Sequence, residues 1–196
     1  MQGEASDAPK ESIGGDQRGN IILVGMMGSG KSMLGRQLAK RLRRRFVDSD
    51  VEIERITGAS IPLIFEMEGE SGFRTRESQV LQQLVRGAGL VLATGGGAVL
   101  LPENRSTLRE AGTVIYLHAP VQILFERTKH SRDRPLLQVP DPQARLAEIY
   151  ELRDPLYRAT AHLIFESDRS HMTAVLGRLV RLLASQPDQA TGPPQP

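Results

Sequence analysis

The stretch Gly25-Met26-Met27-Gly28-Ser29-Gly30-Lys31-Ser32, set directly after the apolar run Ile21-Ile22-Leu23-Val24, constrains this chain more than any other. It matches the pattern G-x-x-x-x-G-K-[ST] at every defined position. Glycines at these points let the backbone wrap a phosphate chain with its N–H groups, and the following helix adds the positive end of its dipole. Gly28, Ser29 and Gly30 supply that backbone, Lys31 reaches the β- and γ-phosphates, and the Ser32 hydroxyl ligates Mg²⁺. Such a loop needs a strand before it and a helix after it. A continuous apolar run that stops at glycine reads as a strand buried on both faces. Leu34, Leu38 and Leu42 recur every four residues behind the loop, as an amphipathic helix requires. The chain is expected to bind a nucleoside triphosphate.

The strand pattern repeats at Phe46-Val47, Leu90-Val91-Leu92-Ala93, Thr113-Val114-Ile115-Tyr116-Leu117 and Leu163-Ile164-Phe165. Helical stripes lie between and after these runs, at Val80, Leu81, Leu84 and Val85, and at Val175, Leu176, Leu179, Leu182 and Leu183. Alternation of this kind predicts an α/β protein, a parallel sheet with helices on both faces. Its 196 residues suit one domain, expected over residues 20–184, with a disordered leader at 1–19 and a loose tail at 185–196. Ligands on such sheets sit beyond the carboxyl ends of the strands.

The second strand ends in Asp48-Ser49-Asp50. One carboxylate is expected to face a metal while the other, on the opposite side of the chain, faces an incoming hydroxyl. Asp50 also suits the N-cap of a helix over 51–56. The third strand ends in Thr94-Gly95-Gly96-Gly97, where a small molecule can approach the backbone closely. No Asp closes that strand, which leaves Asp48 to hold the metal's water shell. Between them, Arg74 and Glu77 stand one helical turn apart, so Glu77 can orient Arg74. Residues 129–140 are polar, basic and proline-containing, with Arg132, Arg134 and Pro135, as a mobile lid over phosphates would be. Arg153 follows as a third anion clamp.

A GTPase would carry an Asn-Lys-x-Asp base-reading segment, which is absent, and an ABC-type ATPase needs a second signature and a larger domain. A small kinase needs only the P-loop, an acceptor pocket and a cover. With no cysteine there is no disulfide, thiolate metal site or thiol nucleophile. The four histidines, His118, His130, His162 and His171, lack zinc spacing. A formal net charge of +2 does not call for a nucleic acid, although arginine far outnumbers lysine. The N-terminus is too polar for a signal peptide, and no apolar run approaches the roughly 18–20 residues that span a bilayer. The expectation is a cytoplasmic monomer that meets neither nucleic acid nor membrane.

Taken in order, the P-loop, Asp48-Ser49-Asp50, Phe73-Arg74 with Glu77, Gly95-Gly96-Gly97, Arg134-Pro135-Leu136-Leu137 and Arg153 with Pro155-Leu156-Tyr157 closely resemble shikimate kinase. The resemblance covers residues 20–184. It implies a three-layer α/β/α, P-loop, nucleoside-monophosphate-kinase-like fold whose five-stranded parallel sheet has order 2-3-1-4-5. It implies transfer of the ATP γ-phosphate, with Mg²⁺, to the 3-hydroxyl of shikimate, a step toward chorismate and the aromatic amino acids. By position, Asp50, Arg74, Gly96, Gly97 and Arg153 would bind shikimate, with both arginines on its carboxylate. Ser32 and Asp48 would serve Mg²⁺, Lys31 and Arg134 the phosphates, and Arg127 and Arg169 would flank the adenine. Lys31, Asp50 and Arg134 would carry the catalysis. Met33 stands where the family usually has a threonine that touches the α-phosphate, so only its backbone N–H serves and weaker nucleotide binding is expected. The rivals are a sugar-acid kinase of the same fold, such as a gluconate kinase, and a P-loop module that binds nucleotide without turnover.

Overall fold

Every expected apolar run forms a strand in the computed structural model, which describes residues 19–129, 135–167 and 172–185; those at the centre of the sheet are covered on both faces, and the two at its edges are partly exposed. The strands are β1 (Asn20–Val24), β2 (Arg45–Asp48), β3 (Leu90–Ala93), β4 (Gly112–His118) and β5 (Leu163–Glu166). All neighbouring pairs are parallel, and the order is β2-β3-β1-β4-β5. The P-loop strand therefore sits at the centre. The helices are α1 (Lys31–Leu42), α2 (Ser49–Thr57), α3 (Ile61–Leu84), α4 (Pro102–Ala111), α5 (Val121–Thr128), α6 (Pro142–Thr160) and α7 (Met172–Ala184).

Successive strand residues serve opposite layers. Ile22, Val24, Leu92, Val114 and Tyr116 meet Leu81 of α3, Leu108 of α4 and Leu146 of α6. Ile21, Leu23, Val91, Ile115 and Leu117 meet Leu34 and Leu38 of α1 and Val175 and Leu179 of α7. Ile22, Leu23 and Leu38 are fully buried, each worth about 1.5–3 kcal/mol relative to exposure. The three expected layers follow from this alternation.

A third, smaller cluster of Ile53, Ile64, Phe73 and Val80 joins α2 to α3. Helix α3 is bent at Gly69, whose backbone leaves the helical region, so its first half forms a wall beside the sheet's carboxyl edge. Of the expected lid, residues 130–134 lie outside the described residues. Beyond them Pro135–Leu137 forms one 3-10 turn that buries Leu137 in the main core. Most of the leader and tail also lies outside the described residues. No helix among the described residues is long and apolar enough to cross a membrane.

Candidate active site

The carboxyl ends of the three strands β1, β2 and β3, with α3 and α6, enclose a cavity of about 720 Å³, a volume suited to small ligands. Its floor is the P-loop. Helix α1 begins at Lys31 with Gly30 as N-cap in the left-handed region (φ 95°) and no side chain capping it. The first-turn N–H groups are thereby left to a ligand. Lys31 is buried, and its Nζ donates to the carbonyls of Gly25 at 2.8 Å and Met26 at 2.9 Å. Those bonds fold the ammonium over the loop. Met33 borders the cavity, is 59% exposed, and its thioether side chain brings no hydroxyl there.

Ser32 Oγ donates to Asp48 Oδ2 at 2.5 Å. A hydroxyl and a carboxylate side by side at the phosphate end form an oxygen donor set suited to Mg²⁺, which takes one or two protein ligands and fills its shell from phosphates and water. No group of three His, Asp or Glu able to hold a metal alone exists among the described residues.

Two expectations about the acidic pair need correction. The N-cap of α2 is Asp48, whose Oδ1 accepts from the Asp50 N–H at 3.1 Å; Asp50 is not the cap. The strand also ends at Asp48, so Asp50 already lies in the first helical turn, and positions two apart on a strand would share a face in any case. Both carboxylates instead face the same cavity. Helix α2 starts here because Asp48 satisfies a donor that the first turn cannot.

Asp50 Oδ1 is sealed from water and has no hydrogen-bond partner. Burial, then the charges of Glu77 and Asp48, push this carboxyl up to about 7, against the pull of Lys31 and Arg74. Glu77 is fully buried; burial lifts it too, against Arg74 and Arg153. Its Oε2 accepts from Arg74 Nη1 at 2.6 Å. Arg74 Nη2 donates to Glu70 at 3.1 Å, and the guanidinium lies 5.0 Å from the Phe73 ring centre. Arg74 is thus fixed on several sides, as the turn spacing with Glu77 led us to expect.

The Gly95–Gly97 loop is held by Ser49 Oγ, which accepts from the Gly95 N–H at 2.9 Å. A Cβ on Gly97 would overlap the Arg74 guanidinium. One on Gly96 would reach 3.8 Å from Arg153 Nη1. Arg153 projects from α6 and is buried. Arg127, at the end of α5, donates to the Gly28 carbonyl at 3.3 Å and to Ser167 Oγ at 3.4 Å. Every expected site residue that the structure describes borders this one cavity. Arg132, Arg134 and Arg169 lie outside the described residues.

Sequence reasoning overlooked the wall formed by Ile61, Pro62 and Phe65. Its signal was Ser60 followed by proline at the second helical position, and Ser60 does cap α3 through the Leu63 N–H.

The family model for shikimate kinase matches residues 27–184. A shikimate kinase of Nitrosomonas europaea is 49% identical over 196 residues, which is all of this chain and 93% of that protein. One of Neisseria meningitidis serogroup C is 55% identical over 165 residues, 83% of this chain and 97% of its own. Among solved structures, the shikimate kinase of Acinetobacter baumannii in complex with shikimate aligns with a TM-score of 0.84 at 47% identity, covering 89% of this chain and 96% of its own.

Proposed function

The chain belongs to the shikimate kinase family, and from that premise we propose that it transfers the γ-phosphate of ATP to the 3-hydroxyl of shikimate. What carries the reading is a single cavity that joins the P-loop to Asp50, Arg74 and Arg153. A phosphate cradle on one side and two buried guanidiniums on the other suit an acceptor that has a carboxylate at one end and hydroxyls at the other.

Phosphoryl transfer asks for alignment and charge neutralisation more than for covalent chemistry. Lys31 and the P-loop N–H groups hold the β- and γ-phosphates. Arg74 and Arg153 hold the shikimate carboxylate, with Gly96 and Gly97 giving its ring a close backbone floor. Asp50 orients the acceptor hydroxyl toward the phosphate and takes its proton as the new P–O bond forms and the bond from the γ-phosphorus to the departing ADP breaks. Ser32 and Asp48 would hold Mg²⁺, which would supply positive charge to offset that of the phosphates. Arg127 flanks the base. Arg134 and Arg169 keep the roles that family position gives them, on the phosphates and the base. The proposed enzyme is a cytoplasmic monomer.

Arg74→Ala is expected to raise the shikimate KM by roughly 30–150-fold, the equivalent of about 2–3 kcal/mol for a lost charge-assisted pair of bonds, with the ATP KM unchanged. Steady-state titration of each substrate checks this. Gly97→Ala places a methyl against the same guanidinium and is expected to raise the shikimate KM about tenfold or more by displacing it, again sparing ATP. The reading itself is tested by an acceptor panel. ATP turnover should rise sharply with shikimate and stay at its basal rate with gluconate. Equal stimulation by both, or none by either, would overturn it.

A further inference from the structure

Helix α6 carries Arg153, and one turn later it carries Tyr157, which is fully buried. The Tyr157 hydroxyl donates its one proton to the Gly96 carbonyl in a very short bond. The Arg153 guanidinium lies beside the same glycine, 3.8 Å from where a Cβ on Gly96 would stand, and its charge pulls the phenol down against burial. The Met26 Sδ of the P-loop lies 3.7 Å from the Tyr157 oxygen. One hydroxyl therefore joins the glycine loop after β3 to the loop after β1, with the substrate arginine alongside that glycine. Burial raises this phenol well above its ordinary range, so it keeps its proton and remains a donor throughout the working pH range.

The ring is fixed as firmly as its hydroxyl. It stacks on Tyr116 of β4, with centroids 4.9 Å apart and planes 26° apart. Tyr116 in turn donates to Asp154 Oδ1 at 2.7 Å, away from the cavity. A side chain anchored in the central sheet thus sets the distance between a long, flexible arginine and a backbone of glycines. Neither of those parts has a strong conformational preference of its own.

We propose that Tyr157 is a positioning residue that acts through Arg153 and Gly96: its hydroxyl fixes the carboxylate clamp against the glycine floor, so that the acceptor is seated in one pose. This rests on the function proposed above. Placement errors near 1 Å cost about 10² in rate, and an arginine released from a fixed partner samples more than that.

Tyr157→Phe removes the hydroxyl and keeps the stacked ring. It should lower kcat/KM for shikimate about 10–100-fold and leave the ATP KM within about twofold. Tyr116→Phe is the control for core packing. It loses a buried bond beside the same stack but touches neither Arg153 nor Gly96, and it should keep wild-type kinetics. A shikimate analogue with a hydroxymethyl group in place of the carboxylate separates mechanism from stability. Because Tyr157 acts through the arginine that grips the carboxylate, Tyr157→Phe should cost this analogue no more than about threefold, a non-additive pair. Unchanged kcat/KM in Tyr157→Phe, an equal fall in Tyr116→Phe, or a full fall with the analogue would each overturn the inference. A wild-type enzyme that shikimate does not stimulate would instead overturn the function it rests on.

Discussion

Lys31→Ala is expected to cut turnover by about 10³-fold even with ATP and shikimate both saturating, because the loss falls on the transferring group and not on binding alone. The ammonium is the cation built into the cradle itself. In the free protein it is held by the carbonyls of Gly25 and Met26, so little reorganisation separates its resting position from the phosphates. Single-turnover measurement after rapid mixing separates this from a binding defect. A variant whose rate recovers at high ATP would mean that Lys31 contributes affinity and little else.

Asp50→Asn should follow closely, with kcat lower by about 10²–10⁴, the usual range for removing a positioned acid or base. The acidic limb of the pH profile gives a sharper signature. With its carboxyl pushed up to about 7, Asp50 is increasingly protonated below that pH and cannot accept the hydroxyl proton. The wild-type kcat/KM for shikimate should therefore fall about tenfold per pH unit below pH 7, and the Asn variant should lack this limb. Stability responds in the opposite sense. The folded-state value lies above the unfolded 3.8, so the native protein binds the extra proton between about pH 4 and 7. Stability is then greatest at the acidic end of that window and falls as pH rises through it. Above pH 7 Asp50→Asn should melt higher than wild type, and below pH 4 the two should coincide. Melting curves at pH 4, 6 and 8 check the sign; an Asn variant that melts lower at pH 8 would contradict it.

Much of this was legible in the chain because the informative signals are local. The P-loop specifies its own conformation, and uninterrupted apolar runs can be strands only inside a covered parallel sheet. The Arg74–Glu77 pair follows from helical geometry alone. What escaped depends on phase changes or long-range contacts. The strand-to-helix switch at Asp48 falls within a three-residue motif, so Asp50 stands in a helical turn and the expected opposition of the two carboxylates does not hold. In α3 the bend at Gly69 breaks the helical phase, so Ile61, Pro62 and Phe65 share no stripe with Val80 and Leu81. Tyr157 is legible only as the end of the motif that begins at Arg153, and only the fold brings it to Gly96, 61 positions away in sequence. Ser49 meets the Gly95 N–H from across 46 positions.

The central claim is that one cleft seats the nucleotide and the acid so that a single hydroxyl faces the phosphate. A crystal structure of the chain with ADP and shikimate tests it most directly. The account predicts ADP phosphates in the loop of Gly28–Ser32, the shikimate carboxylate on Arg74 and Arg153, and the 3-hydroxyl on Asp50, turned toward the β-phosphate. Shikimate bound with its carboxylate toward Lys31, or bound outside this cavity, would contradict it.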